Sequence, residues 1–287
     1  MATVPVCIRT SPALIRRLCP PRRPDSHKGD YGRILIVAGA EGFTGAPVLA
    51  ARAALRAGTG LIFTAVPRAV YPIVAGKLDA PMVLPLPDDG AGKLSCAALP
   101  ELLARLETAD ACLLGPGLGR SAELDRLVAA VIDACRCPLI LDADGINAVA
   151  AHRDRLRGAA CPLILTPHEG EFRRLWPEPE TSRLQGAMAL ARETGAVVLR
   201  KGHETLITDG QRSYVNRTGN PGMATGGSGD ALAGILLALL GQGAKPLEAA
   251  AAAAWLHGRA GDRAAARRGQ YGLAPGDLIE ALPRLLP

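Results

Sequence analysis

Short runs of β-branched residues and leucine alternate along the chain with alanine-rich amphipathic segments, a pattern that leaves few architectures open. A strand followed by a helix returns to pair in the same direction, so the alternation implies a parallel sheet covered by helices on both faces. Strands are expected at 33–38, 61–66, 82–86, 111–114, 138–141, 163–166, 196–200, 205–208 and 212–215. Helices are expected at 46–57, 97–107, 122–134, 170–176, 182–194, 230–241 and 247–266. The last two strands meet at Asp209-Gly210, a hairpin dipeptide, and form a small antiparallel appendix on an otherwise parallel sheet. No internal repeat or linker interrupts this order. Residues 27–287 are therefore read as one α/β domain, preceded by a basic, proline-rich arm over residues 1–26.

The 48% hydrophobic content is ample for one core, yet no apolar run reaches the roughly 20 residues a membrane helix needs. Of the net charge of +6, the first thirty residues supply +4, from Arg9, Arg16, Arg17, Arg22, Arg23 and Lys28 against Asp25 and Asp30. Such an arm can meet nucleic acid, but no recognition motif or aromatic-interleaved patch accompanies it, so no nucleic-acid partner is expected. The seven cysteines are scattered without a C-x-x-C spacing and read as reduced thiols of a cytoplasmic protein.

Several strands end in glycine or polar residues. Gly39 to Gly45 follow the first, Gly115-Pro116-Gly117-Leu118-Gly119 the fourth and Asp142-Ala143-Asp144-Gly145 the fifth. Thr166-Pro167-His168-Glu169-Gly170-Glu171 and Lys201-Gly202-His203-Glu204 follow two more. A single turn of this kind says little, but several on one edge of a parallel sheet describe a cleft, because ligands bind at the carboxyl ends of strands. The stretch Asn220 to Asp230, N-P-G-M-A-T-G-G-S-G-D, then sets an acid behind a glycine-rich turn at the mouth of an apolar helix. Gly226, Gly227 and Gly229 let a ligand approach the main chain, and the helix start favours a phosphate. Asp230 would repel that phosphate, which suits it to moving a proton.

Absent motifs narrow the chemistry. There is no G-x-x-x-x-G-K-[ST] loop. The glycines at 39, 42 and 45 have the wrong spacing for a dinucleotide fingerprint, and no acid closes the strand near Val66. The five histidines form no H-E-x-x-H and no Cys–His cluster, so no metal-ligating residues are assigned. Ser228 lacks a G-x-S-x-G context. A nucleotide held by backbone turns, a lysine at Lys201 and a base at Asp230 remain, a combination fitting phosphoryl transfer.

Six segments in order, 27–33, 42–46, 115–119, 142–144, 166–172 and 220–230, resemble the ADP/ATP-dependent NAD(P)H-hydrate dehydratases, from about His27 to Asp277-Leu278-Ile279. The resemblance implies a ribokinase-like fold and repair of NADH or NADPH whose nicotinamide ring has taken up water at C6. It implies that Ala46, Gly117, His168 and Asp230 meet the hydrated dinucleotide, with Asp230 catalytic. It gives Lys201, Gly202, His203, Glu204, Thr205, Gly226, Gly227, Ser228 and Gly229 to the adenine nucleotide. ADP or ATP is the implied co-substrate, Mg2+ the implied cofactor, and a homo-oligomer, a tetramer by resemblance, with a separate epimerase the implied partners. The chain departs from the family at Asp79-Ala80-Pro81-Met82, where a Pro-Glu pair is expected, and at His203 and Glu204, where smaller residues are expected. Two alternatives stay open. One is a small-molecule kinase of thiazole, pyrimidine or pyridoxal type on the same fold, against which Asp230 stands where the thiazole kinases have cysteine; the other is a nucleotide-binding protein without catalysis.

Overall fold

The computed structural model describes residues 7–287 and contains one ten-stranded sheet. The strands are β1 (Cys7–Arg9), β2 (Arg33–Val37), β3 (Leu61–Pro67), β4 (Met82–Leu86), β5 (Ala111–Leu114), β6 (Leu139–Leu141), β7 (Leu163–Leu165), β8 (Val197–Arg200), β9 (Thr205–Thr208) and β10 (Ser213–Asn216). Their spatial order is β1-β10-β9-β8-β7-β6-β5-β2-β3-β4. From β8 to β4 every neighbouring pair is parallel, while β9 runs antiparallel to both β8 and β10. The nine strands expected from sequence all appear, with ends shifted by a residue or two.

The tenth strand, β1, pairs in parallel with β10 and lies in the segment read as an arm. The helix Pro12–Leu18 follows it and buries Leu14 and Ile15. Short helices at Tyr71–Ala75, Asp144–Val149, Asp154–Arg157 and Pro275–Ala281 were likewise not anticipated. The helix expected from Asp230 begins two residues earlier, at Ser228, so Asp230 lies in its first turn rather than ahead of it. The helix expected from Gly170 begins at Glu169.

Alternation along the strands divides the core into two layers. Ile34 and Ile36 of β2 face one side with Ala111 and Leu113 of β5; Leu35 and Val37 face the other with Cys112 and Leu114. The first layer is covered by the helices Gly45–Arg56, Ser228–Gly241 and Pro246–Arg268, the second by Leu99–Leu106, Ala122–Ala134 and Arg183–Thr194. Small residues let the first group pack closely. Gly234 lies so near the helix Gly45–Arg56 that a methyl group there would overlap the carbonyl oxygen of Ala50. This contact aligns two helices whose N-terminal ends both lie at the carboxyl edge of the sheet. Among the described residues, no helix is long and apolar enough to cross a membrane.

Candidate active site

The glycine-rich turn is shaped by Gly227. Gly227, with φ +89°, takes the left-handed conformation that caps the helix Ser228–Gly241, and a side chain there would strike Leu49. Leu49 is one turn on from Ala46, so this contact sets the turn against the helix that follows β2. Gly226 is exposed with no heavy atom near its missing side chain, and Ser228 is buried. The turn therefore offers an open backbone face over a buried, wholly apolar helix body, with the helix's positive dipole end directed at it.

Asp230 is half-buried, and its carboxyl is pushed up to about 6, first by burial and then by the charge of Asp142, with Lys201 pulling the other way. Lys201 continues β8 and is the centre of the polar cluster. Its ammonium donates to Asp142 Oδ1 at 2.8 Å and stands 3.9 Å from Glu171 Oε2. It also approaches Gly229, where an added side chain would meet Nζ at 3.4 Å. Burial works to lower the lysine's pKa, but Asp142, Glu171 and Asp230 outweigh it and hold the ammonium above its usual value. Asp142, only 1% exposed, also accepts from Thr166 Oγ1 at 2.7 Å. Thr166, Asp142 and Lys201 thereby join the ends of β7, β6 and β8 in one hydrogen-bonded unit, and Lys201 N donates to Pro167 O at 2.8 Å beside it.

The remaining expected residues fall into two groups around this unit. Ala46 and Gly117 are neighbours: a side chain on Gly117, which has φ +63°, would lie 3.1 Å from Ala46 Cβ. Gly39 N donates to Pro116 O at 2.9 Å and ties their two loops together. His168 caps the helix Glu169–Leu175. Its Nδ1 accepts from Glu171 N at 3.1 Å, while its own N–H donates to Glu171 Oε2 at 2.8 Å. The ring is 56% exposed, although its Nε2 also lies 3.3 Å from Glu171 Oε1. Lys201 to Thr205 form a tight loop with Gly202 at φ +147° and Glu204 at φ +55°, closed by Thr205 Oγ1 donating to Gly202 O at 3.0 Å.

Sequence reasoning did not single out Asp142, Glu171 or His257 as site residues. Asp142 and Lys201 are 59 residues apart, so only the fold pairs them, although a lysine at a buried strand end needs a counter-ion. His257, on the helix Pro246–Arg268, donates from Nε2 to Ser228 O at 2.9 Å behind the turn, and burial pushes its pKa down to about 4. It is thus a neutral donor at ordinary pH. A cavity of about 590 Å³ lies at the opposite end of the strands, lined by residues including Arg22, Tyr31, Gly58 and Gln242. Its acid, Asp30, is engaged in accepting from His27 N at 2.9 Å.

Comparison with known proteins identifies the family. The sequence profile of the NAD(P)H-hydrate dehydratase family matches residues 34–284, all but the ends of the chain. The chain belongs to that family. Among its dehydratase-family relatives, the bifunctional NAD(P)H-hydrate repair enzyme Nnr of Moorella thermoacetica is 48% identical over 96% of this chain and 53% of its own length. The chain thus spans about half the length of the bifunctional relatives it matches. The ADP-dependent (S)-NAD(P)H-hydrate dehydratase of Cenarchaeum symbiosum is 37% identical over 95% of this chain and 94% of its own. Among solved structures, the ADP/ATP-dependent NAD(P)H-hydrate dehydratase of Bacillus subtilis, co-crystallised with ATP and Mg2+, superposes with a TM-score of 0.82 at 28% identity. That superposition covers 99% of this chain and 98% of the other. The ribokinase-like fold expected from the sequence is the one this dehydratase family adopts here.

Proposed function

We propose that the protein uses an adenine nucleotide to dehydrate hydrated NADH or NADPH. The observation that carries this reading is Asp230, a carboxyl raised to about 6 in the first turn of a buried helix, facing the Lys201 ammonium across an open backbone turn. A carboxylate of that pKa is charged at neutral pH and still basic enough to accept a hydroxyl proton. As Asp230 takes the proton of the C6 hydroxyl, the oxygen attacks the terminal phosphoryl group and the nucleotide leaves one phosphate shorter. The lone pair of the ring nitrogen then expels phosphate from C6, and loss of a C5 proton restores the dihydropyridine. The helix N–H groups at Gly229 and Asp230 and the Lys201 ammonium are suited to the charge that develops on the phosphoryl oxygens. Membership of the dehydratase family supports the same reading.

Ala46, Gly117 and the exposed ring face of His168 make up the dinucleotide side of this proposal, and Lys201 to Thr205 with Gly226 to Gly229 the nucleotide side. Among the described residues no three His, Cys, Asp or Glu side chains converge to hold a metal ion. Asp142 and Glu171 are already engaged by Lys201 and by the His168 cap. An Mg2+ ion would therefore take few ligands from the described residues, and when bound with the nucleotide it would supply positive charge to offset that of the phosphates. A separate epimerase for the other hydrate epimer and a homo-oligomeric state belong to the same proposal.

The fate of the phosphate tests the chemistry. In a kinase the phosphorylated alcohol accumulates, whereas here expulsion from C6 should follow attachment almost at once. Phosphorus NMR of the running reaction should show inorganic phosphate growing in step with restored NADH and no organic phosphate ester. A stable ester on a vitamin-like alcohol, with hydrated NADH untouched, would leave the fold correct and the proposed reaction wrong.

A further inference from the structure

The loop Lys201–Thr205 is an unfavourable backbone shape held from outside. Gly202 and Glu204 both have positive φ, at +147° and +55°, and Glu204 has a side chain that the left-handed region disfavours by about 1–2 kcal/mol. Arg183, the first residue of the helix Arg183–Thr194, spans the loop: its Nη1 donates to His203 O at 3.0 Å and its Nη2 to Lys201 O at 3.1 Å. The guanidinium lies close to Gly202, where a side chain would come within 2.8 Å of Nη2.

In a trans peptide the N–H points opposite to the C=O. With the Lys201 and His203 carbonyls both turned to Arg183, the N–H groups of Gly202 and Glu204 point away from it. Neither has a hydrogen-bond partner among the described residues. Two free donors on an exposed loop beside the glycine turn form an acceptor-binding surface.

Arg183 is itself fixed. Arg200, with no exposed side-chain surface, donates to Arg183 O at 3.0 Å and pairs with Glu169 and Glu180, each at 2.6 Å. Glu169 in turn stands 3.6 Å from Arg183 Nε. The chain from buried Arg200 through Glu169 to Arg183 therefore ends on the two loop carbonyls.

We infer that Arg183 is a positioning residue for the nucleotide site, presenting the Gly202 and Glu204 N–H groups to the adenine nucleotide by holding the carbonyls of Lys201 and His203. The inference rests on the functional reading above. It differs from an ordinary surface ion pair in requiring the fork of a guanidinium, because one group must meet two carbonyls at once.

The test is calorimetric binding of ADP to the unaltered protein, Arg183→Ala and Arg183→Lys, with KM for ADP and for hydrated NADH and melting temperature measured on each. Arg183→Ala should weaken ADP binding about tenfold or more, the scale of losing two charge-assisted hydrogen bonds. KM for hydrated NADH should stay within about twofold, and the melting temperature should move by no more than about 2 °C, as for a half-exposed pair. Arg183→Lys should remain close to the alanine variant, since an ammonium keeps the charge and loses the fork. Unchanged ADP affinity in Arg183→Ala, full recovery in Arg183→Lys, or equal loss for both ligands with a lowered melting temperature would each overturn the inference. Failure of the unaltered protein to bind either ADP or ATP would instead overturn the functional reading and this inference with it.

Discussion

Asp230→Asn should reduce turnover by about 10²–10⁴ while leaving ADP affinity within a few-fold, because the amide keeps the shape of the carboxylate and loses only the base. In the unaltered enzyme, kcat/KM should fall on the acid side with an apparent pKa near 6, the value to which burial and Asp142 push this carboxyl. Below that pH the group is protonated and cannot accept the hydroxyl proton. The same substitution should stabilise the fold at neutral pH. The native state holds the Asp230 proton more tightly than the unfolded chain does, so ionising the group costs stability as pH rises from about 4 through about 6. Removing the charge should raise stability by about 1–3 kcal/mol at pH 8 and by nothing below pH 4. His257 has the opposite sign: its pKa is depressed to about 4, so its contribution is complete above about 6.5 and is lost as pH falls toward 4. Thermal melts of Asp230→Asn against pH separate the two. A variant that keeps a tenth of the turnover, or that is no more stable at pH 8, would contradict the role given to Asp230.

The second large effect is in the core. Gly234 lies inside a helix, where alanine is ordinarily favoured over glycine by about 1 kcal/mol. Here the added methyl group overlaps the Ala50 carbonyl oxygen, a backbone atom of a packed helix that has nowhere to move. Overpacking of that kind costs about 1–3 kcal/mol and more where backbone is involved, so the clash should win. Gly234→Ala should lower the urea midpoint and, by pushing apart two helices whose first turns face the cleft, lower turnover as well. Gly276 is the control. It lies in the helix Pro275–Ala281 with no heavy atom near a would-be side chain, so Gly276→Ala should be neutral or slightly stabilising. A stabilised Gly234→Ala would show that the helix contact does not set the packing.

The parallel core of the sheet was legible because each strand is a short apolar run between helices of clear period, as in Ile34 to Val37 and Leu139 to Leu141. Strand β1 was not, since Cys7-Ile8-Arg9 is too short for any alternation to register and takes its structure from β10. The helix Tyr71–Ala75 was hidden for a similar reason, a single turn carrying a proline. At the site, Asp230 stood out because an acid behind three glycines is chemically odd, a purely local signal. The ion pair of Lys201 with Asp142, the His257 donor behind Ser228 and the Arg183 clamp all join residues distant in sequence. Arg200 illustrates the limit: an arginine reads as surface, yet it is completely buried under Glu169 and Glu180 with its guanidinium 3.7 Å from the centre of the Phe172 ring. Only the folded chain shows that its charge is met by Glu169 and Glu180 while it donates to the Arg183 carbonyl.

The cleft is proposed to dehydrate hydrated NADH at the expense of an adenine nucleotide. Purified protein, Mg2+ and hydrated NADH are mixed with ADP, with ATP or with neither, and the dihydronicotinamide absorbance is followed alongside released phosphate. The account predicts that absorbance returns only when a nucleotide is present, with one phosphate released for each NADH restored, and that Asp230→Asn leaves both signals flat. Absorbance that fails to return with either nucleotide, or that returns equally without one, would contradict it.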